Sequence, residues 1–268
     1  MAGQLIVLPG VTAAAAGSAP RVNMNAADSA AAKITALKHA VSARSLSAVS
    51  GGGVAGRCRA TGALLIPKGT AGNLSLTEVA GMPALAAANS SGLALPPGSL
   101  TRSYTLVAAV AISSVDSAAG LAVNLLAGMD GSDAYISTLL RYYGAAAASP
   151  NSDVFASTGS GTTVVTATPR KARPSGNWAI AVVDLNFNTK VLSLALNDVA
   201  SPVTQTLTAP IDPSAASYIE IGYHLSAGLS NSKIGDLYTF NASLLSSDLG
   251  KTQLADLVSA LKSTYGIA

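Results

Sequence analysis

A chain of 268 residues with 16 Lys and Arg against 13 Asp and Glu has a formal net charge of +3. Its length suits one large domain, or a smaller one with an appendage. Only 11% of its residues are charged while 49% are hydrophobic. That charge fraction lies far below the roughly 25% of ordinary soluble domains and predicts surface hidden against other subunits. No apolar run approaches the roughly 18 residues of a spanning helix, so no membrane insertion is expected. The short run at residues 5–8 follows no basic residue and stops at Pro9-Gly10, which argues against a secretory leader.

In chain order, residues 4–8 read as an isolated strand or arm closed by Pro-Gly, and residues 13–20 as an Ala/Gly/Ser-rich linker. From Asp28 the pattern changes. Asp28 or Ser29 can cap a helix, and Ile34, Leu37 and Val41 follow at spacings of three and four, predicting a helix over residues 29–44. Gly51, Gly52 and Gly53 break that region. Residues 63–66 read as a strand stopped at Pro67.

The rest is strand-like with turn punctuation. Residues 104–112 form a continuous apolar run, fitting a strand buried on both faces. Strands are expected at 121–127 and 135–141 around a turn at Gly128–Gly131, and at 164–168 before Pro169. Residues 178–186 and 190–197 make a hairpin, the second strand alternating Val191, Ser193, Ala195 against Leu192, Leu194, Leu196. Strands at 203–208, 217–224 and 233–240 precede a terminal helix over residues 247–264. Its Leu254, Leu257, Val258, Leu261 and Tyr265 form one stripe of a 3.6-residue period, and Gly266 supplies the cap. Many strands without intervening helices predict an all-β fold, an antiparallel jelly-roll-type sandwich with a short C-terminal helix.

Charge divides the chain unevenly. Residues 1–100 hold seven basic side chains against Asp28 and Glu78, whereas residues 101–268 hold nine against eleven acidic ones. With Gly51–Gly53 as a break, this predicts an N-terminal attachment region at 1–70 and the sandwich at 71–268. The basic residues are scattered without interleaved aromatics, so nucleic-acid binding is not expected. Cys58 stands alone, and no neighbouring His or acid in sequence completes a nucleophile.

Three stretches carry a resemblance over roughly residues 80–268. Ser103-Tyr-Thr-Leu-Val107, the run Asn177-Trp178 to Asp184 with Lys190-Val-Leu-Ser-Leu, and Ile234-Gly-Asp236-Leu-Tyr238 followed by the terminal helix keep the order of a laminin-G-like, concanavalin-A-like β-sandwich. More specifically, the chain resembles the form found in bacteriophage virion proteins such as tail fibres and decoration proteins. The resemblance implies a virion location and a lectin-like face for host glycans. It also implies partners among other virion proteins through the N-terminal region, and a homo-oligomer, trimeric by analogy with viral fibres. Trp178, Leu254, Leu257 and Leu261 are expected to be structural.

Chemistry-bearing candidates are few. Sandwich glycosidases need two carboxyls about 5–10 Å apart. The strand at Glu220 offers no second acid; Glu220 and His224 share one face, and the favoured expectation is a solvent-facing pair. No cofactor is expected except calcium, which laminin-G-like domains often bind; Asp130 and Asp133 are the best loop for it, although two aspartates in a turn more often cap their own backbone. Tyr142, Tyr143 and Tyr223 are the candidate sugar-stacking rings, since one of two adjacent strand tyrosines must point outward. No Gly-x-Ser-x-Gly, phosphate loop or zinc cluster occurs. The expectation is a non-enzymatic virion structural protein displaying a lectin-like sandwich. The alternative is a carbohydrate-binding module for host glycans, with a glycoside hydrolase third.

Overall fold

The structure, a computed structural model, describes residues 25–118, 122–143, 153–155, 170–172 and 177–268. Among these the chain runs through helix α1 (Ala26–Ala32) and strands β1 (Leu37–Ser42), β2 (Ser47–Ala48), β3 (Val54–Ala55), β4 (Ile66–Gly69) and β5 (Leu74–Val79). Then come β6 (Met82–Ala87), β7 (Ser91–Ala94), β8 (Tyr104–Ala111), the short helix α2 (Ser114–Ala118), β9 (Ala122–Met129) and β10 (Tyr135–Tyr143). Next are β11 (Asp153–Phe155), β12 (Arg170–Ala172), β13 (Ala179–Asn186), β14 (Val191–Leu196), β15 (Val203–Thr206), β16 (Tyr218–Gly222) and β17 (Lys233–Phe240). Helix α3 (Asp248–Tyr265) closes the chain. The arm at 4–8, the linker at 13–20 and the strand expected at 164–168 lie outside the described residues.

Two antiparallel sheets make the sandwich. One holds eight strands in the order β15-β14-β13-β8-β17-β6-β5, with β1 also paired to β17; the other holds seven in the order β12-β11-β10-β9-β16-β7-β4. The core between them takes alternate residues of facing strands: Leu106, Ala108 and Val110 of β8, Val183 and Leu185 of β13, Ile219 and Ile221 of β16. The other parity of β8 and β13 (Val107, Ala109, Ile180, Val182) meets Ala27 and Ala31 of α1 and Leu254, Leu257 and Leu261 of α3. Both faces of β8 are therefore buried, which is why its sequence is apolar without alternation. The order is helices, eight-stranded sheet, seven-stranded sheet.

Helix α3 lies within one residue of its expected span. Ser247 caps it by accepting from Gly250 N at 3.1 Å, and Gly266 closes it at φ +63°. Trp178 is buried, its Nε1 donates to the Val79 carbonyl at 3.0 Å, and its ring lies 4.6 Å from that of Tyr265. Asp184, also buried, accepts from Thr105 Oγ1 at 2.6 Å, Ser243 Oγ at 2.6 Å and Leu245 N at 3.2 Å, tying β13 and β8 to the approach of α3.

Two expectations are corrected. The helix read over 29–44 is a seven-residue α1 followed by strand β1. β17 pairs with β6 only at Ile234, so Asp236–Phe240 need another partner on that side, and β1 supplies it from Leu37 to Ser42. Unpaired backbone groups in a buried sheet are expensive, and this outweighs the helical spacing of Ile34, Leu37 and Val41. The boundary expected at residue 70 is the second. β1 belongs to the eight-stranded sheet, β4 pairs with β7 in the seven-stranded one, and Val41, Leu46, Val54 and Leu65 enter the inter-sheet core. Residues 25–70 are built into the sandwich.

Candidate functional site

The face of the seven-stranded sheet turned away from the core carries a set of polar and aromatic side chains. Its floor follows from strand register. Tyr218 of β16 stands opposite Met129 of β9, which stands opposite Tyr135 of β10. One pleat along, Glu220 lies between Ala94 of β7 and Ala127 of β9. One further, Gly222 stands opposite Gly92, which pairs with Lys68 of β4. Ala94, Ala127, Met129 and Tyr218 pack together, with Tyr135 and Tyr223 against them.

Glu220 is fully buried in this floor. Its Oε1 accepts from the backbone N of His224 at 2.7 Å, and its Oε2 lies 2.8 Å from His224 Nδ1. The glycine at 92 makes room for the carboxyl, since a Cβ there would collide with Glu220 Oε1. Gly222 takes φ +82°, a conformation side-chain-bearing residues rarely adopt, and so turns the chain from β16 into Tyr223 and His224. Burial raises the Glu220 carboxyl above the ordinary glutamate range, against the lowering effect of His224 and Lys68.

With its folded pKa raised, Glu220 adds stability that is fully present below the ordinary glutamate range and is lost as pH rises through the folded value. Glu220→Gln is neutral throughout and can keep both contacts. The difference in Tm, wild type minus variant, should therefore fall as pH rises above the ordinary glutamate range of about 4. A difference independent of pH would show that the buried carboxyl does not titrate differently on folding.

Around the floor stands a rim. Lys68 Nζ is held by both oxygens of Asp133, at 2.7 and 2.8 Å, and lies 5.1 Å from the centre of the Tyr218 ring. The Tyr218 hydroxyl donates to Asp133 Oδ1 at 2.7 Å. The rings of Tyr135 and Tyr223 meet at 5.1 Å and 49°, and both are half-buried. The Tyr135 hydroxyl is hydrogen-bonded to Thr138. The result is a tilted aromatic pair with His224 beside Tyr223 and the Lys68–Asp133 ion pair against Tyr218.

The sequence-predicted residues fare unequally. Tyr223 is on this face. Tyr142 is not: it is fully buried in the core between the sheets, because its parity on β10 places it beside Leu140 under the opposite sheet. Tyr143 ends β10 opposite Ala122 and Asp153, and its side chain lies outside the described residues. Glu220 and His224 share a face as expected, but the glutamate is enclosed rather than solvent-facing.

Asp130 and Asp133 part company. Asp130 Oδ1 accepts from Ser132 N, Ser132 Oγ and Ala134 N, a turn closing on itself. Asp133 is committed to Lys68. A cation at this loop would share Asp133 with an ammonium group, and the residues present do not fit calcium, which seeks six to eight oxygens. Among the described residues no group of three or more His, Cys, Asp or Glu gathers elsewhere either.

Sequence reasoning missed Lys68 and Tyr135. No local signal marks Lys68, which meets Asp133 across 65 residues only because β4 borders the sheet. A histidine does approach Cys58, contrary to expectation: His39 Nδ1 lies 3.4 Å from its sulfur. Burial pushes the thiol up, but hydrogen bonds with His39, Thr61 and backbone groups outweigh it and bring it down to about 6. Both residues are buried under the sheet, out of reach of a substrate.

No family model matches the chain, and no curated protein matches it. Solved structures do resemble it. Domain 4 of AbnA, an extracellular arabinanase from Geobacillus stearothermophilus, in complex with arabinotriose, is 12% identical with a TM-score of 0.51, over 83% of this chain and 98% of that one. The Trypanosoma rangeli sialidase with the inhibitor DANA is 13% identical with a TM-score of 0.55, over 83% of this chain and 32% of that one. The same sialidase with sialic acid gives 14% and 0.54, over 84% and 33%. The chain thus matches nearly all of the arabinanase domain and about a third of the sialidase. Its fold is an all-β sandwich.

Proposed function

We propose that this chain is a non-enzymatic carbohydrate-binding sandwich that serves a virion assembly, binding glycan on the outer face of its seven-stranded sheet. The observation that carries the glycan reading is the half-buried Tyr135–Tyr223 pair, rimmed by hydrogen-bonding side chains and set on a rigid floor. Aromatic rings give a pyranose its stacking surface, and fixed polar groups at their edge read its hydroxyls. Two structural neighbours hold saccharides, arabinotriose in one and sialic acid in the other, which supports the same reading. Glu220, the one carboxyl within the floor, is enclosed and engaged by His224, so it supports placement of the rim rather than acid catalysis.

The virion setting rests on the resemblance of the strands at 103–107, 177–194 and 234–238 to laminin-G-like phage proteins, and on a charge fraction of 11% that suits a subunit packed among others. A homo-oligomer, trimeric by analogy, belongs to this reading.

Tyr223→Ala should abolish most binding on a glycan array, a loss of about tenfold or more in affinity, with the melting temperature lowered by only a few degrees because the ring is half-buried. Retained binding would move the site off this face. In the same preparation light scattering should find a multimer; a monomer at micromolar concentration would remove the assembly part of the proposal.

A further inference from the structure

Resting on that reading of the face, we infer that its ligand is an uncharged saccharide and that glycans bearing a carboxylate are excluded. The local charge arrangement favours neutral ligands. A site for an acidic sugar offers its carboxylate an unengaged cation, usually a forked arginine. Here the rim's lysine is already occupied. Both oxygens of Asp133 hold Lys68 Nζ, and the Tyr218 ring lies against it.

Exposure decides what an arriving ligand meets. The Asp133 side chain is 44% exposed and that of Lys68 only 21%. The outer partner of the ion pair is therefore the anion, and it repels a second carboxylate before the ammonium can attract it. Hydrogen bonds from Lys68 and Tyr218 hold the Asp133 carboxyl below the ordinary aspartate range, so it stays ionised at neutral pH.

The wider surroundings agree. Arg141 is close enough to act on the Tyr135 hydroxyl, and Asp130 on that of Tyr218. Lys68 also acts on Glu220 beneath, so its charge is shared between two carboxyls. His224, if protonated, gains a charge already matched by Glu220 at 2.8 Å. What remains for recognition are neutral functions: the Tyr223 hydroxyl, the outer edge of His224 and the remaining capacity of the Lys68–Asp133 pair.

The test is an array of matched neutral and sialylated oligosaccharides probed with the full chain at low and high salt. Wild type should bind neutral members and bind their sialylated counterparts at least about tenfold more weakly, with neutral binding nearly insensitive to salt. Asp133→Asn should raise binding of the sialylated set about tenfold by releasing Lys68. Asparagine suits the position, because residue 133 sits at φ +65°, where Asn is tolerated. Adding Lys68→Met to Asp133→Asn should cancel that gain. Sialylated glycans bound as well as neutral ones by wild type would overturn the charge inference and leave the glycan face standing. No gain in Asp133→Asn, in a variant that melts like wild type, would also overturn it. Wild type that binds no glycan at all would overturn the underlying reading, and this inference with it.

Discussion

A chain beginning at Asn73 should fail to fold, giving insoluble material or a protein without a cooperative melt. Its removal strips β1 from Asp236–Phe240 and β4 from Ser91–Ala94, leaving two rows of backbone groups unpaired. It also takes Val41, Leu46, Val54 and Leu65 from the inter-sheet core and Ile34 from the layer under the helices. Each such side chain contributes about 1.5–3 kcal/mol of burial, so the five together rival the whole stability of about 5–15 kcal/mol expected for a domain. The Lys68 partner of Asp133 disappears as well. Circular dichroism and solubility of the truncated chain decide the matter. A soluble product with β-type circular dichroism and a cooperative melt would show that residues 1–72 are an appendage after all.

Leu257→Asp should lower the melting temperature by about 10 °C, on a loss of roughly 4 kcal/mol or more. Leu257 is fully buried between α3 and the eight-stranded sheet, in the cluster with Trp178, Val182 and Tyr238. The substitution removes a large apolar side chain and leaves a carboxyl with no cation in that cluster. Glycan binding measured well below the new melting temperature should be unchanged, because α3 lies on the far side of the other sheet. A melting temperature equal to wild type would mean the helix contributes nothing to the sandwich, against the packing of Leu254, Leu257 and Leu261.

The sequence by itself determined the elements whose signal is local. β17 spans the expected residues, the hairpin of β13 and β14 lies where Asn186–Thr189 turns, and α3 follows from its stripe, its Ser247 cap and Gly266. These are short-range patterns, a period of two or 3.6 with turn or cap residues at the ends, and nothing distant opposes them. The all-β class follows from their number.

Tertiary structure decided what happened wherever a distant partner outbid the local pattern. Residues 37–42 carry helical spacing yet form a strand, because on the side away from β8 most of β17 has no other neighbour. Tyr142 and Tyr143 look equivalent in sequence, and only the sheet on which β10 lies makes Tyr142 a core residue. Glu220 alternates like a surface residue, but Gly92 across the ladder and His224 beyond the turn enclose it. The candidate site is the extreme case. Its rim joins Lys68, the Asp133–Tyr135 segment and Tyr223 from three separate stretches of chain, and each stretch holds its residues for reasons of register alone. Alternation says which residues share a face of one strand; which strands lie side by side, and therefore which side chains meet, is fixed by long-range pairing that no local window contains.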